Sequence, residues 1–435
     1  MHIRNHLGND AGCRPAIRSR SFFAVGAILL AMLLVAACSS GSGSATGSAS
    51  SASQVSAKGT PIPIGVVGSY SGPFADLLAI GQPVMQAWAD SVNAAGGLNG
   101  HPVKLYIEDD QDNVSLSVTE VKTLVEQDHV VAIVGQVADG GDVAWAPYVE
   151  SKGIPVVGGE NSEPVYLTNP DFFDPIGNLI SSFYGIAALA HSDGPKFAAA
   201  YCAESPACAQ VVPFLTSLGK SPGAAVSLVY TAKVSSSAPD YTAACEGLKQ
   251  SGAESYTMSL SVSVQKLFVA QCAQDGVTAR PIDNVVDSTF TSVPAFNGMQ
   301  IVNSAFPFFD QSIPATKAFH QALAKYAPQI GSASMPLTYI ASDIWTAGAL
   351  FQAAVDAAGP GPITSASIKH GLYSLRNATL GGLTAPLNFT PGKVTLNNSY
   401  FSFTIKNGAF VETHGMTPVE VPSGPVTTLV AALSK

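Results

Sequence analysis

The sequence predicts an α/β protein in which two lobes, each built on an open and mostly parallel sheet, follow one another along the chain. Three observations predict this fold class. Short β-branched runs alternate with longer helical patterns from residue 62 onward, which is typical of a doubly wound sheet. The same alternation restarts after about residue 178. About 375 residues follow the first sixty, and one hydrophobic core seldom organises so many.

The first lobe is predicted from four strands with helices between them. We expect these strands at residues 62–67, 103–107, 130–134 and 154–157. Helical spacing of apolar residues predicts helices from Gly81 to the stop at Gly96-Gly97, at 116–128 and at 142–152. This order gives a parallel sheet with right-handed crossovers.

The second lobe is predicted to begin with a helix at about 178–191, followed by four more strands. We expect those strands near residues 197–201, 225–230, 255–260 and 281–286. A stretch rich in Pro and Phe follows at 301–309, and helices are expected at 315–326 and 339–358. The tail, 400–405 and 409–412 across Asn407-Gly408, predicts a hairpin because Asn-Gly favours a tight two-residue turn.

The first sixty residues are typical of an export signal and a tether. Residues 1–20 contain four arginines and one aspartate, and an uncharged apolar run at 22–35 is short for a transmembrane helix. The run ends in Leu34-Val35-Ala36-Ala37-Cys38, which resembles a bacterial lipobox and implies a signal peptide of residues 1–37 with lipidation of Cys38. A plain secretory leader is the alternative. Residues 39–57 carry neither charge nor aromatic ring, so 38–60 is predicted to be a flexible tether.

The charge of the chain argues against nucleic acid as a partner. The formal net charge is −9. Removing residues 1–37 takes away four arginines and one aspartate, which leaves −12. An acidic chain of this kind is not expected to bind the phosphate backbone or an anionic lipid surface.

Four cysteines remain once Cys13 leaves with the leader and Cys38 takes the lipid. An even number in an oxidising compartment predicts disulfides. Pairing the neighbours predicts one bond that staples a loop and one that ties two adjacent helices, namely Cys202 with Cys208 and Cys245 with Cys272. A zinc site is the alternative, although no histidine lies near these cysteines and no Cys-x-x-Cys occurs.

The sequence contains no recognisable catalytic apparatus. We find no phosphate-binding glycine loop and no His-Glu-x-x-His. Function is therefore sought in the loops beyond the carboxyl ends of the first four strands, where open α/β sheets bind ligands; they are residues 68–72, 109–112, 135–142 and 158–163. The pair Asp109-Asp110 is expected to be a solvated loop, and Trp88 and Trp145 are expected in the core.

A family resemblance is carried by several short motifs between residues 62 and 170. They are Ser71-Gly72-Pro73, Asn93-Ala94-Ala95-Gly96-Gly97-Leu98-Asn99-Gly100, Asp109-Asp110, and Gly135 followed by Ala146-Pro147. With these motifs the chain resembles the leucine/isoleucine/valine-binding proteins, which are substrate-binding proteins of ABC importers. The resemblance implies the type I periplasmic-binding-protein fold, with two Rossmann-like lobes joined by three crossover strands. Lobe 1 would comprise 61–178 and 308–385, and lobe 2 would comprise 179–307 and 386–435.

The resemblance also implies where a ligand would bind. In amino-acid-binding members, groups after strands three and four hold the α-carboxylate, and an acidic residue of the second lobe holds the ammonium group. Placing this pattern on the chain gives the first-lobe candidates Ala138, Asp139, Gly140, Glu160 and Ser162. The second-lobe candidates are Asp287, Ser261 and the segment that starts at Glu204. Tyr70 and Ser71 are cleft candidates, with a plain turn at 71–73 as the alternative.

Asp139 departs from the pattern, because the family usually has serine or threonine there. Two like charges 4 Å apart repel by about 4 kcal/mol at an effective dielectric near 20, whereas a neutral hydrogen bond contributes about 1 kcal/mol. A ligand carboxylate should therefore be rejected, and a cationic or hydroxyl-rich ligand is expected. The alternative is that Asp139 turns outward and caps the following helix; Glu160 is open to a similar reading as a solvated loop residue.

These observations predict a solute-binding lipoprotein without enzymatic activity, cofactor or bound metal. Its partners would be a small polar molecule (an amino acid, an amide or a related compound) and ABC permease subunits, with a lipid at Cys38 as its only membrane contact. It would be a monomer on the outer face of the cytoplasmic membrane. A ligand-sensing receptor on the same fold and an extracytoplasmic enzyme are the alternatives.

Overall fold

The computed structural model describes residues 57–138, 140–204 and 206–433. The predicted leader, Cys38, the predicted tether up to residue 56 and Asp139 lie outside the described residues. Within them, the strands form two separate sheets. None of the described helices is long and apolar enough to cross a membrane.

The first sheet has five parallel strands in the order β2-β1-β3-β4-β5. Their bounds are β1 Ile62–Gly68, β2 Val103–Asp109, β3 Ala132–Gln136, β4 Val156–Gly159 and β5 Phe172–Phe173. The four predicted strands are all present, and β5 adds a short edge that the sequence did not predict. The strand order shows that β1 lies inside the sheet, which matches its nearly continuous burial.

The second sheet has eight strands in the order β12-β11-β10-β9-β8-β6-β7, with β13 beside β11. Their bounds are β6 Lys196–Cys202, β7 Ser227–Val234, β8 Ser255–Ser259, β9 Arg280–Asp283, β10 Gln300–Asn303, β11 Ser399–Lys406, β12 Ala409–Glu412 and β13 Val419–Glu420. Strands β6 to β10 run parallel, and β11 pairs antiparallel with β10, β12 and β13. The predicted hairpin is confirmed as β11 and β12, with Asn407 and Gly408 at positive φ in the turn.

Helices cover both faces of each sheet. In the first half they are α1 Ala75–Leu78, α2 Gly81–Ala94, α3 Val114–Glu126, α4 Gly141–Lys152, α5 Val165–Thr168, α6 Leu179–Asp193 and α7 Val211–Leu218. They continue with α8 Thr242–Ser251, α9 Val262–Gln274, α10 Pro314–Tyr326, α11 Tyr339–Ala358, α12 Ser365–Ser374 and α13 Ser423–Leu433. Short 3-10 helices occupy Pro206–Gln210, Ser288–Ser292 and Pro294–Phe296.

Two of the three tryptophans lie on opposite faces of the first sheet. Trp88 of α2 is buried against Phe351 of α11, with ring centroids 6.3 Å apart. Trp145 of α4 is fully buried on the other side and stacks on Phe172 at 5.6 Å. Both side chains belong to separate hydrophobic clusters, which confirms the prediction that they are core residues.

The chain passes between the two sheets three times. These crossovers are residues 174–178, 304–313 and the end of the segment 375–398. They are tied together, since Gly177 N donates to Ser304 O at 2.9 Å and Asn178 Nδ2 donates to Asn397 O at 2.8 Å. The prediction of two α/β lobes joined by three crossovers is confirmed.

Both predicted disulfides are present. Cys202, at the end of β6, is bonded to Cys208 in the 3-10 helix Pro206–Gln210. Cys245 of α8 is bonded to Cys272 of α9. The zinc alternative is therefore wrong for these four cysteines, because their sulfur atoms are bonded in pairs.

The expectation of a solvated loop at Asp109-Asp110 is wrong for Asp110. The Asp110 side chain is 1% exposed and accepts hydrogen bonds from Ser69 Oγ at 2.7 Å and from Asp112 N at 3.1 Å. Asp109 accepts from the backbone N–H groups of Tyr70 and Ser71. The two carboxylates join the loops after β1 and β2, and these hydrogen bonds offset the loss of water around Asp110.

Candidate functional site

A cavity of about 410 Å³ lies between the two sheets. It is lined by residues just beyond the carboxyl ends of β4, β9 and β10, by the last residues of β8, and by the first turns of α6 and α11. This is where open α/β sheets are expected to bind ligands. The volume falls in the range of about 300–1,000 Å³ that is usual for small-molecule sites.

The polar side of the cavity is held by the crossover segments. Asn161, after β4, donates through Nδ2 to Asp174 Oδ2 at 2.7 Å and to Gly177 O at 2.8 Å. Ser182 of α6 and Ser304 of the second crossover share a hydrogen bond of 2.8 Å between their Oγ atoms. Three of these residues, Asn161, Ser182 and Ser304, line the cavity. The polar wall and the connection between the lobes are therefore one hydrogen-bonded unit.

Asp343 of α11 is the most unusual polar group of the cavity. It lines the cavity, yet only 2% of its surface is exposed. Its Oδ1 has no hydrogen-bond partner among the described residues. Burial, together with the nearby carboxylates of Glu160 and Asp174, holds the pKa of Asp343 well above its usual value. Burial also raises the pKa of Asp174 to about 7, against the hydrogen bonds from Asn161 and Ile176 N.

Glu160 is fixed by its neighbour Ser162. Its Oε1 accepts from Ser162 N at 3.1 Å, and its Oε2 accepts from Ser162 Oγ at 2.6 Å. Both residues line the cavity. The Glu160 backbone is also fixed, since its N–H donates to Gln136 O and its carbonyl accepts from Gln136 Nε2. The carboxylate is thus part of an ordered loop at the end of β4.

The other side of the cavity is apolar. Phe183 of α6 and Phe214 of α7 stack with ring centroids 5.1 Å apart and planes within 7°. Leu77 of α1 packs against the hydrophobic clusters of both lobes. Further apolar lining residues are Phe74, Leu179 and Met258. This wall offers a surface for the hydrocarbon part of a ligand.

The structure brings two of the predicted site residues into the cavity. Glu160 and Ser162 line it, as stated above. In the loop after β3, Ala138 is buried, and its N–H donates to Gln136 Oε1 at 2.7 Å. Gly140 lies in the left-handed region at the N-terminus of α4. Neither Ala138 nor Gly140 lines the cavity, and both alternatives for Asp139 stay open because that residue lies outside the described residues.

The remaining predicted residues also lie away from the cavity lining. Tyr70 is buried and Ser71 is exposed in the turn after β1. Ser261 precedes α9, and Glu204 is exposed. The N–H of Ser236, together with the hydroxyls of Ser235 and Ser236, lowers the pKa of Glu204 to about 2. No ligand tests these assignments, and they stay predictions.

Asp287, which was predicted to hold a ligand ammonium group, already has partners for both of its carboxyl oxygens. Its Oδ1 accepts from Thr289 N at 2.8 Å, and its Oδ2 lies 3.5 Å from Lys266 Nζ. It begins the 3-10 helix Ser288–Ser292. Asp343 is one of the acids that line the cavity, and the sequence analysis missed it. The sequence feature that could have identified Asp343 is its position as the one acid inside the apolar stretch 340–351 of a long helix.

Among the described residues, no group of three or more His, Cys, Asp or Glu side chains is arranged to hold a metal ion. A cleft between two α/β lobes, lined by amides, hydroxyls and an apolar wall, defines the class of proteins that bind small solutes. A model of the periplasmic binding protein family matches residues 61–409. The chain therefore belongs to the periplasmic binding protein family, whose members are extracytoplasmic solute-binding proteins rather than enzymes.

Solved structures agree with this assignment. The fold is similar to that of a branched-chain amino acid ABC transporter protein from Thermus thermophilus with bound valine, at 16% identity and a TM-score of 0.71 over 85% of this chain and 98% of that one. It is also similar to an ABC transporter solute-binding protein from R. palustris in complex with benzoate, at 17% identity and a TM-score of 0.66 over 83% and 98%. At these identities the likeness shows the fold.

A curated relative shares a shorter stretch. An amino acid binding protein from Pseudomonas aeruginosa is 32% identical over 97 residues, which are 21% of this chain and 24% of that protein. The match therefore covers about a quarter of the relative's length.

Proposed function

We propose that the protein captures a small solute in the cavity between its two sheets and delivers it to the membrane subunits of an ABC importer. The cavity itself carries the proposal, because it lies at the carboxyl ends of strands from both sheets. Closure of the lobes around the three crossovers would bury the solute. The lobes would comprise 61–178 with 308–385 and 179–307 with 386–435.

The relatives support this assignment without identifying the solute. One structural relative was solved with bound valine, and another in complex with benzoate. Since one fold accepts both, the solute of this chain must be inferred from its own cavity. We also propose that the solute leaves chemically unchanged, that the protein is a monomer, and that lipid at Cys38 holds it on the outer face of the cytoplasmic membrane.

Thermal unfolding of the full chain with a panel of amino acids, amines, amides and aromatic acids tests the capture of a solute. A bound compound at 100 times its Kd should raise the free energy of unfolding by about 2.7 kcal/mol. Val285→Trp should abolish this effect, because Val285 lines the cavity. Val229→Trp is the matched control, since Val229 is 40% exposed on β7. Stabilisation that survives Val285→Trp would place binding outside the cavity and contradict the proposal.

A further inference from the structure

Two buried acceptor atoms of the cavity have no donor among the residues that the structure describes. One is Asp343 Oδ1, and the other is Asn303 Oδ1. Asn303 lines the cavity and is 1% exposed. Its orientation is fixed, because Nδ2 donates to the Phe306 carbonyl at 3.1 Å and so the oxygen must occupy the other position. A buried acceptor without a donor destabilises the site, and a ligand N–H group at either atom would satisfy it.

The charge of the lining has one sign. Among the described residues that line the cavity, three are acidic, namely Glu160, Glu163 and Asp343, and none is Lys, Arg or His. A ligand carboxylate would therefore meet no cationic partner there. Ionised carboxylates of the lining repel a ligand carboxylate and attract a ligand cation.

The apolar wall limits the rest of the ligand. Phe183 and Phe214 form a stacked pair beside the polar side of the cavity, and Met258 lies with them in the lining. Burial of an aromatic or branched aliphatic group against this wall favours binding in proportion to the apolar area removed from water. Aromatic rings would add the further gain of offset or edge packing.

Building on the proposed function, we propose that the captured solute is an amine with an apolar body and without a carboxylate. Its ammonium group donates to Asp343 and Asn303, and its hydrocarbon part packs on Phe183 and Phe214. The inference rests on two buried acceptors without a partner among the described residues and on an apolar wall, all of which line the same cavity. A free amino acid is disfavoured because its carboxylate would lie in the same acidic cavity.

Binding of such a cation should release a proton. In the empty cavity, burial and the charges of Glu160 and Asp174 favour the protonated form of Asp343 by raising its pKa. An ammonium group beside it reverses that preference, so the proton passes to the solvent as Asp343 becomes a carboxylate. A ligand carboxylate would bind best to protonated Asp343 and would release no proton.

The test uses matched probes with the same body. Isothermal titration of the full chain is performed with 2-phenylethylamine, phenylalanine and 3-phenylpropionate, and with isopentylamine, leucine and 4-methylpentanoate. Within a set, the amine should bind at least tenfold more tightly than the amino acid or the acid. Titration in two buffers of different ionisation enthalpy should show release of up to one proton for the amine. Val285→Trp should abolish each signal.

Variants then assign the effect to Asp343. Asp343→Asn should weaken amine binding at least tenfold and abolish proton release, whereas Asp356→Asn, in an exposed position of the same helix, should change neither. The proton release of the unmodified protein remains a test if Asp343→Asn does not fold. Tighter cavity binding of an amino acid or acid would overturn the inference and leave solute capture intact. The inference is also overturned if none of the six probes gives a signal that Val285→Trp abolishes.

Discussion

Asp283 lies at the end of β9 with its carboxyl group enclosed by backbone N–H groups. Its Oδ1 accepts from Asn284 N at 2.7 Å and Val285 N at 3.1 Å, and its Oδ2 accepts from Met258 N at 3.0 Å. Asn284, Val285 and Met258 all line the cavity. A single buried side chain therefore fixes the ends of two strands where the cavity begins.

Asp283 should make the protein less stable as the pH rises from about 4 to 7. Burial raises its pKa to about 7 despite the three hydrogen bonds, so in this window the folded state binds more protons than the unfolded state. The free energy of unfolding then falls with rising pH, by up to about 1.4 kcal/mol per pH unit for one group. Asp283→Asn should reduce this slope in urea denaturation between pH 4.5 and 7.5.

The slope of the free energy of unfolding against pH is a useful measurement because it does not depend on the overall stability of the variant. Asp240→Asn is the control, since Asp240 is exposed before α8. An unchanged slope in Asp283→Asn would show that this carboxyl group titrates as it does in the unfolded chain.

Sequence reasoning at the scale of residues succeeded for apolar groups and failed for two buried acids, Asp110 and Asp343. Trp88 and Trp145 were predicted in the core because their apolar neighbours recur at helical spacing. The burial of Asp110 depends on Ser69, which is 41 residues earlier, and the position of Asp343 depends on how α11 packs beside the crossovers. No local pattern contains such partners, so the cavity was only partly predictable, through Glu160 and Ser162.

The Cys202–Cys208 disulfide joins two elements at the rim of the cavity. Cys208 and Gln210, both in the 3-10 helix Pro206–Gln210, line the cavity together with Val211 and Phe214 of α7. The bond anchors this helix to the end of β6. The other disulfide, Cys245–Cys272, lies between α8 and α9, and its cysteines do not line the cavity.

The two disulfides should therefore have separable effects. The double variant Cys202→Ser with Cys208→Ser should weaken binding of a cavity ligand severalfold. Without the bond, the 3-10 helix that lines part of the cavity is no longer linked to the end of β6. The double variant Cys245→Ser with Cys272→Ser should lower the free energy of unfolding by about 3–4 kcal/mol, as expected for a ring of this length, and leave affinity unchanged. Calorimetric titration and urea denaturation of both variants measure this. Equal loss of affinity in the two would contradict the distinction.

Helices α11 and α12 approach each other closely at Gly371. A Cβ atom at this position would overlap the carbonyl oxygen of Ala354. Gly371→Ala should therefore destabilise the protein by about 1–3 kcal/mol, as overpacking of a core usually does.

Gly424 in α13 is the matched control for Gly371, because nothing lies within 4 Å of a Cβ there. Gly424→Ala should be neutral or stabilising by up to about 1 kcal/mol through helix propensity. Thermal unfolding of both variants compares them, and a neutral Gly371→Ala would contradict the close approach of the helices.

Elements with a clear period were predicted well. Helix α11 was expected at 339–358 and is found at Tyr339–Ala358. Strand β10, Gln300–Asn303, was missed because it runs directly into the Pro- and Phe-rich crossover, which hides its alternation. The short strands β5 and β13 were missed because two residues are too few to show an alternation.

At the scale of the whole molecule, the three crossovers connect residues that lie far apart along the chain. Asn397 Nδ2 donates to Pro175 O at 3.0 Å, and Asn178 Nδ2 donates to Asn397 O at 2.8 Å. Periodicity predicted that two α/β lobes exist, but not how often the chain passes between them. That feature came from the family resemblance, because contacts across more than 200 residues leave no local signal.

The predicted lipid anchor on the membrane can be tested at Cys38, which lies outside the described residues. If two or more acyl chains are attached there, they should hold the protein on the membrane durably, whereas one chain holds only marginally. The full chain should partition into the detergent phase after export, and Cys38→Ser should move it to the aqueous phase. Cys13→Ser is the control, since this cysteine lies in the leader and should not matter.

Partition of the protein without substitutions into the aqueous phase would support the plain secretory leader instead. Retention of Cys38→Ser in the detergent phase would show an anchor other than this lipid. With its formal charge of −12 after removal of residues 1–37, the exported chain is not expected to adhere to anionic lipid by electrostatics. A change of phase in Cys38→Ser would therefore report the covalent lipid, and the tether at 38–60 would then give the two lobes the freedom to reach a membrane partner while remaining attached.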